Sequence, residues 1–320
     1  MAVFLGTDLY DHNDDPNTIS VTSLIKPIKQ TILSSRVPPG TSLPDISGKV
    51  KSQAGTAVHT AIEWAWVNNF TQAMLDLGYK QETVDKVRVN PTKLDIAEAE
   101  EYGHKIIPIY MERRSEKSVA GMKVSGKFDF VVEGNLEDFK NTSTYTYVKK
   151  TNDWSYILQG SMYRWLNQDI ITGPDITIQY IFSDWSAAGF KQNPNKYPPH
   201  AAMSYSLPLL SIADTEIYVT ERIRSLRNLW DKDESEIPIC TDKELWRDAP
   251  VWKYYKNPAK RARSTKNFDN IYEANTLLSK DGGVGIVVEV PGKVKACAYC
   301  DAYTICKQKD NYLLNGTLKI

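Results

Sequence analysis

Asp129, Asp138 and Lys140 stand close together in the segment GKFDFVVEGNLEDFKNTS, residues 126–143. Two carboxylates held on one side of a surface can share a divalent cation. Magnesium takes oxygen ligands at roughly 2.0–2.1 Å and keeps its other positions for water and phosphate. A lysine beside such an ion can orient or deprotonate an attacking water and offset charge on a phosphorane-like transition state. The segment thus holds the parts for metal-assisted phosphodiester hydrolysis. A solvated charged face uses the same residue types, so the elements that position these three side chains decide between the readings.

Gly134-Asn135 lies between two runs of alternating polarity and predicts a two-residue β-hairpin turn. That turn pairs Glu133 with Leu136, Asp129 with Lys140 and Val131 with Asp138. Cross-strand partners share a face, as do residues two apart. Asp129, Asp138 and Lys140 then project from one side. Phe128, Phe130, Val132 and Phe139 occupy the other, which is expected to be the buried one. A slip of one residue would separate the three groups.

Helical spacing predicts a helix over 54–77, through Ala57, Ala61, Trp64 and Ala65, and places His59 and Glu63 one turn apart on one face. A helix over 153–167 does the same for Gln159 and Tyr163. Strands are expected at 83–90, 105–112 and 176–182, a β region at 119–148, and a helix at 213–230. Residues 19–36 read as a strand or turn leading into a helix interrupted near Pro27, followed by a proline- and glycine-rich loop at 38–48. This order is that of a mixed α/β fold. It suggests a flexible segment at 1–18, a core at 19–230, and a C-terminal basic and cysteine-bearing region at 231–320 packed on that core.

The pattern D-x8-D-x-K on a hairpin resembles the PD-(D/E)XK nuclease superfamily. GTAVHTAIE at 55–63, QGSMY at 159–163 and the opening ISVTSL resemble its RecB-type branch, which includes CRISPR-adaptation nucleases and phage exonucleases. The matching stretch covers about residues 19–170, although the proline that names the superfamily is absent before Asp129. The resemblance implies a restriction-endonuclease-like core, a mixed central sheet flanked by helices. It implies a magnesium- or manganese-dependent deoxyribonuclease, with a phage-type exonuclease as the leading reading. A structure-specific endonuclease or a non-catalytic DNA-binding assembly factor are the alternatives. His59, Asp129, Asp138 and the backbone carbonyl of Phe139 would be metal ligands. Lys140 and Glu63 would assist, Gln159 would lie near the lysine, and Tyr163 near the DNA backbone.

Cys240, Cys297, Cys300 and Cys306 are the only cysteines, and none precedes residue 240. Thiolates at C-x2-C-x5-C spacing can wrap one metal centre, with Cys240 as the fourth ligand. The triad resembles that of iron–sulfur RecB-type nucleases, although their fourth cysteine lies upstream, near the position of Gln30 here. A [4Fe-4S] cluster is expected, with structural zinc as the alternative. Lys253, Lys256, Lys260, Arg261, Arg263 and Lys266 form a basic run without an acid, interleaved with Tyr254 and Tyr255. Such a run can contact phosphates and stack on unpaired bases, and an ordinary solvated loop has the same composition. The whole chain is balanced at 39 basic and 39 acidic residues, so charge alone selects no partner. The absence of a signal segment or an apolar run long enough to span a bilayer leads us to expect a cytoplasmic protein, in a bacterial host if phage-encoded. DNA is the expected partner, together with a single-strand annealing or other recombination or replication protein.

Overall fold

The computed structural model describes residues 1–7, 15, 17–41 and 46–318. It forms two compact units, Met1–Ile25 with Pro44–Arg224, and Lys26–Leu43 with Ser225–Ile320. Residues 8–14 and 16 of the expected flexible N-terminal segment and part of the 38–48 loop lie outside the described residues. Ala2–Gly6 is helical within that segment.

Seven strands of the described residues form one mixed sheet in the first unit. They are β1 (Thr18–Ser20), β2 (Val87–Val89), β3 (Ile107–Val119), β4 (Met122–Val132), β5 (Asn135–Thr142), β6 (Asp175–Phe182) and β7 (Ala202–Pro208). The path runs β2-β3-β4-β5-β6-β7, with β1 parallel to β4. β2–β3 and β5–β6 are also parallel, and the other pairs are antiparallel. The sheet is curled and flanked by helices. The expected strand at 83–90 is partly a helical turn, Gln81–Val84, before the short β2.

Apolar spacing builds the two helices that position the site. α1 (Val50–Asn68) and α2 (Phe70–Asp76) turn Trp66, Phe70 and Met74 onto Val87, Ile109, Met111 and Phe130. α3 (Asp153–Leu166) has an acid in its first turn and an arginine in its last, both favourable to the helix dipole. It buries Tyr156, Leu158, Met162 and Trp165. At Gly160 a Cβ would stand 2.8 Å from Ile176, so the absence of a side chain lets this helix approach β6 closely.

The hairpin turns at Glu133-Gly134 rather than at Gly134-Asn135. Both central residues have positive φ, 46° and 81°, as a type I′ turn requires. The Gly134 carbonyl accepts the amides of Thr172 and Gly173 at 3.1 and 2.9 Å, a tertiary clamp absent from the local pattern. Val131 therefore faces Leu136, and Phe130 faces Glu137. The register differs from the expected one by two residues. An even shift preserves faces, so the side-sharing argument survives while the individual partners change.

The second unit holds a smaller antiparallel sheet, β8 (Val251–Tyr255), β9 (Lys266–Phe268) and β10 (Ile286–Val290), in the order β10-β8-β9. α4 (Ile271–Lys280) packs Ala274, Leu277 and Leu278 with Tyr254 and Phe268. The sequence pattern there reads as irregular because strands this short leave little alternation to detect.

Candidate active site and cysteine cluster

The β3–β4–β5 ladders both open at Asp129. On one side, Met111 pairs with Phe130 and Arg113 with Phe128, but Glu112 between them leaves the ladder with φ 50°. On the other, pairing of β4 with β5 stops at Phe130–Glu137. The Asp129 carboxylate fills the gap by accepting the Phe139 N–H at 3.0 Å. A left-handed glutamate inside a strand costs roughly 1–3 kcal/mol, and strain of this kind concentrates at functional sites.

His59 reaches this gap from α1. Its Nε2 lies 2.9 Å from the Phe139 carbonyl oxygen. A carbonyl only accepts, so Nε2 carries the hydrogen. Nδ1 then faces Asp129 Oδ2 at 3.6 Å and Glu112 Oε1 at 3.8 Å. One ligand atom from each of His59, Glu112 and Asp129 falls within 4.8 Å of the others. Glu63 is exposed one turn further along α1 and lines the same small cavity as His59, Glu112 and Asp129. The Phe139 carbonyl, expected as a ligand, serves His59 here and retains a second lone pair.

Asp138 is 1 % exposed. Its Oδ2 ion-pairs with Lys140 Nζ, and its Oδ1 is buried without a hydrogen-bond partner. The carboxylate–lysine face is thus no open surface, as the hairpin pattern suggested. α3 covers it, and the Tyr156 ring lies 5.8 Å from Lys140 Nζ. Both faces of the hairpin are packed, because α1 takes the Phe130–Phe139 side while α3 takes the other.

These surroundings set the charges. Asp129 is pushed up to about 7, first by burial and then by the Asp138 carboxylate, against the pull of Lys140 and His59. His59 is raised, chiefly by its contact with Glu112. Burial works against ionising Glu112, but His59 and Lys127 outweigh it and hold its carboxyl below the usual range. Burial likewise opposes charge on Lys140, and the Asp138 and Asp129 carboxylates outweigh it. Lys140 is therefore an ammonium paired with Asp138 at neutral pH.

Gln159 and Tyr163 are one turn apart, and the Gln159 amide donates to the Tyr163 hydroxyl at 2.9 Å. Tyr163 is 4 % exposed, so it is placed to pack rather than to meet a DNA backbone. Tyr156, not singled out by its spacing, is the aromatic group beside Lys140. Glu112 was missed as well. Its one sequence signal is an acid ending an apolar run, IIPIYME at 106–112.

In the second unit, Cys240, Cys297, Cys300 and Cys306 are all free thiols. They neighbour one another closely enough for each to act electrostatically on Cys240. Cys240 is pushed up to about 12 and Cys297 to about 11, in both cases mainly by burial. Gln308 clasps the Cys240 backbone, accepting its N–H at 2.9 Å and donating to its carbonyl at 3.0 Å. The upstream segment is tied to this region without a cysteine. Buried Lys29 reaches Glu234 Oε1 at 3.2 Å, and Lys26 reaches Asp301 at 3.2 Å.

Lys256, Lys260, Arg261, Arg263 and Lys266 are exposed at the loop between β8 and β9 and the start of β9. Tyr254 and Tyr255 are not available to stack on bases. Tyr254 is fully buried, with its hydroxyl on Asp281 at 2.8 Å, and Tyr255 is buried too. Adjacent strand residues point to opposite faces, so β8 is covered on both sides at its C-terminal end.

No family model and no curated protein matches the chain. Among solved structures, a protein named SSO0001 is 16% identical, with a TM-score of 0.37 over 67% of this chain and 78% of that one. A phage-related exonuclease from Haemophilus somnus 129PT is 16% identical, with a TM-score of 0.29 over 69% of this chain and 96% of that one. Likenesses this slight add nothing to the geometry of the site. No helix of the described residues is long and apolar enough to cross a membrane.

Proposed function

We propose that the site around Asp129 belongs to a divalent-metal-dependent DNA nuclease of RecB type, acting as an exonuclease. The observation that supports it is Asp138, a buried carboxylate with an unpartnered Oδ1, beside Asp129, His59 and a paired lysine. An isolated buried carboxylate oxygen is costly, and a cation held with Asp129 and His59 would satisfy it. A bound magnesium or manganese ion would supply Lewis acidity and lower the pKa of a coordinated water. His59, Asp129 and Asp138 would hold the ion, with the Phe139 carbonyl as a further donor and Glu63 at the rim. Lys140 would orient the attacking water and offset charge on the phosphoryl oxygens, and Tyr156 shields it from bulk solvent. Gln159 and Tyr163 support the helix that covers the lysine.

The exposed Lys256, Lys260, Arg261, Arg263 and Lys266 would contact DNA phosphates. The four thiols would serve a structural metal centre, either [4Fe-4S] or zinc, and what supports this is that none is in a disulfide and three lie near enough to act on Cys240. Brown protein with broad absorbance near ~400 nm identifies the cluster; colourless anaerobic protein containing zinc identifies the other. The test of function is end-labelled linear, closed circular and single-stranded DNA, incubated with Mg2+ or Mn2+. Digestion of linear but not closed circular DNA, lost in Asp138→Asn, is the expected result. Cleavage of closed circles would make it an endonuclease. Binding without cleavage by either protein would make it a non-catalytic DNA-binding factor.

A further inference from the structure

Glu112 is the residue of β3 with a left-handed backbone, and nothing in the hairpin pattern points to it. Regular alternation would continue its pairing opposite Asp129. Instead its backbone adopts φ 50° and the ladder skips it. The two carboxylate oxygens are used differently. Oε2 takes Lys127 Nζ at 2.5 Å. Oε1 faces His59 Nδ1 at 3.8 Å, within the group that also includes Asp129. A separate observation points to a ligand beside this group. The Asp138 carboxylate, 1 % exposed and close enough for its charge to act on Asp129, keeps Oδ1 without a hydrogen-bond partner.

Each flanking acid has its own lysine. Lys140 pairs with Asp138 and Lys127 with Glu112, while Asp129 feels Lys140 from further off and has His59 Nδ1 at 3.6 Å. A hard divalent cation suits the Glu112 and Asp129 carboxylates with one imidazole, with Mn2+ accepting the nitrogen donor readily.

We propose that Glu112 is a ligand of the divalent cation, and that Lys127 is the positioning residue that holds its second oxygen so that the first faces His59 and Asp129. This rests on the reading of Asp129 and Asp138 as a metal site. The backbone strain at Glu112 is then the means by which a strand residue presents its carboxylate to an ion that the neighbouring strands also ligate. Lys127 acts as the hydrogen-bonding partners of ligating carboxylates generally do.

The test is Mn2+ binding to the full chain, read by calorimetry and by the electron paramagnetic resonance signal of free Mn2+, with no DNA present. Glu112→Gln should weaken binding at least about ten-fold and melt like the wild type in EDTA. Glu112→Gly suits the left-handed backbone, so it should melt no lower than the wild type in EDTA and still bind Mn2+ weakly. Lys127→Met should cost about ten-fold and nothing further when combined with Glu112→Gln. Asp138→Asn is the control for the site itself. Weakened binding in Asp138→Asn with wild-type binding in both Glu112 variants overturns the role of Glu112 and leaves the metal site standing. Unchanged binding in all three overturns the site as well. An additive double variant overturns the role of Lys127.

Discussion

Around Asp129 and Asp138 the protein sets cations of its own against buried carboxylates, whereas Cys240 meets burial with no cation to oppose it. Lys140 is paired with Asp138, Lys127 with Glu112, and His59 stands beside both Asp129 and Glu112. The thiols of Cys240 and Cys297 are instead pushed up to about 12 and 11, first by burial, with neighbouring thiols adding to it and Lys309 and Arg247 opposing it only at Cys297. The first region is therefore a preorganised polar site in a sheet that already has its core. The second has a modest apolar cluster, Leu245, Val294, Cys297 and Leu318, which includes a cysteine itself. A metal at the first site would mainly do chemistry; a metal at the second would mainly hold structure.

The largest effect that can break this contrast is removal of the metal proposed for the cysteine region. Binding to structural thiolate sites is worth roughly 10–16 kcal/mol in small domains. Chelation or Cys297→Ser should abolish hydrogen-exchange protection around 240–318 while β3–β6 stay protected. Retained protection in both places would mean that the thiols are ordinary core groups.

Asp138→Asn comes next. Loss of this proposed metal ligand, which also pairs with Lys140, should lower cleavage by about 100- to 10,000-fold, the range associated with proton-transfer groups. The variant should remain folded by circular dichroism. Cleavage within a factor of three of the wild type would reject the site.

Phe130→Ala tests whether the site depends on the packing beneath it. Phe130 is 4 % exposed and touches Trp66 and Phe139. The change should cost about 3–5 kcal/mol in chemical denaturation. A smaller cost would show that α1 is not seated through this ring.

Neutralising Lys260, Arg261 and Arg263 together should lower the log–log salt slope of DNA binding by about 2 to 3. An unchanged slope would return this loop to ordinary solvated surface.

The smallest effect is a pH dependence. Asp129 titrates at about 7 when folded, against an ordinary 3.8. Its contribution to metal-free stability is complete below about pH 4 and is lost as pH rises through about 7. Mg2+ replaces that proton, so the gain in Tm on adding Mg2+ should be larger at pH 8 than at pH 6. Equal gains would remove Asp129 from the ligand set.

Much of this was legible from residue order. Alternation located β4, β5 and β6, and helical spacing located α1, α3 and the helix Ile212–Leu229. The polarity pattern put Asp129, Asp138 and Lys140 together because a shift of two residues leaves faces unchanged. It failed at the turn because Glu133-Gly134 is held by a clamp from Thr172 and Gly173, almost forty residues on. It offered Tyr254 and Tyr255 as stacking groups within the basic run, whereas both rings are buried in β8 by packing that the run itself does not show.

The amino-acid sequence by itself determined which side chains are available and which of them recur at strand or helix spacing, since those periods are properties of the local backbone. Only the tertiary structure decided that α3 would bury Asp138 and Lys140, that Asp129 would stand where two ladders open, and that Glu112 would turn toward His59. Each depends on segments far apart in the chain competing for one space. No local pattern encodes the φ of 50° at Glu112; it persists because Lys127 and His59, brought from β4 and α1, hold its carboxylate in place.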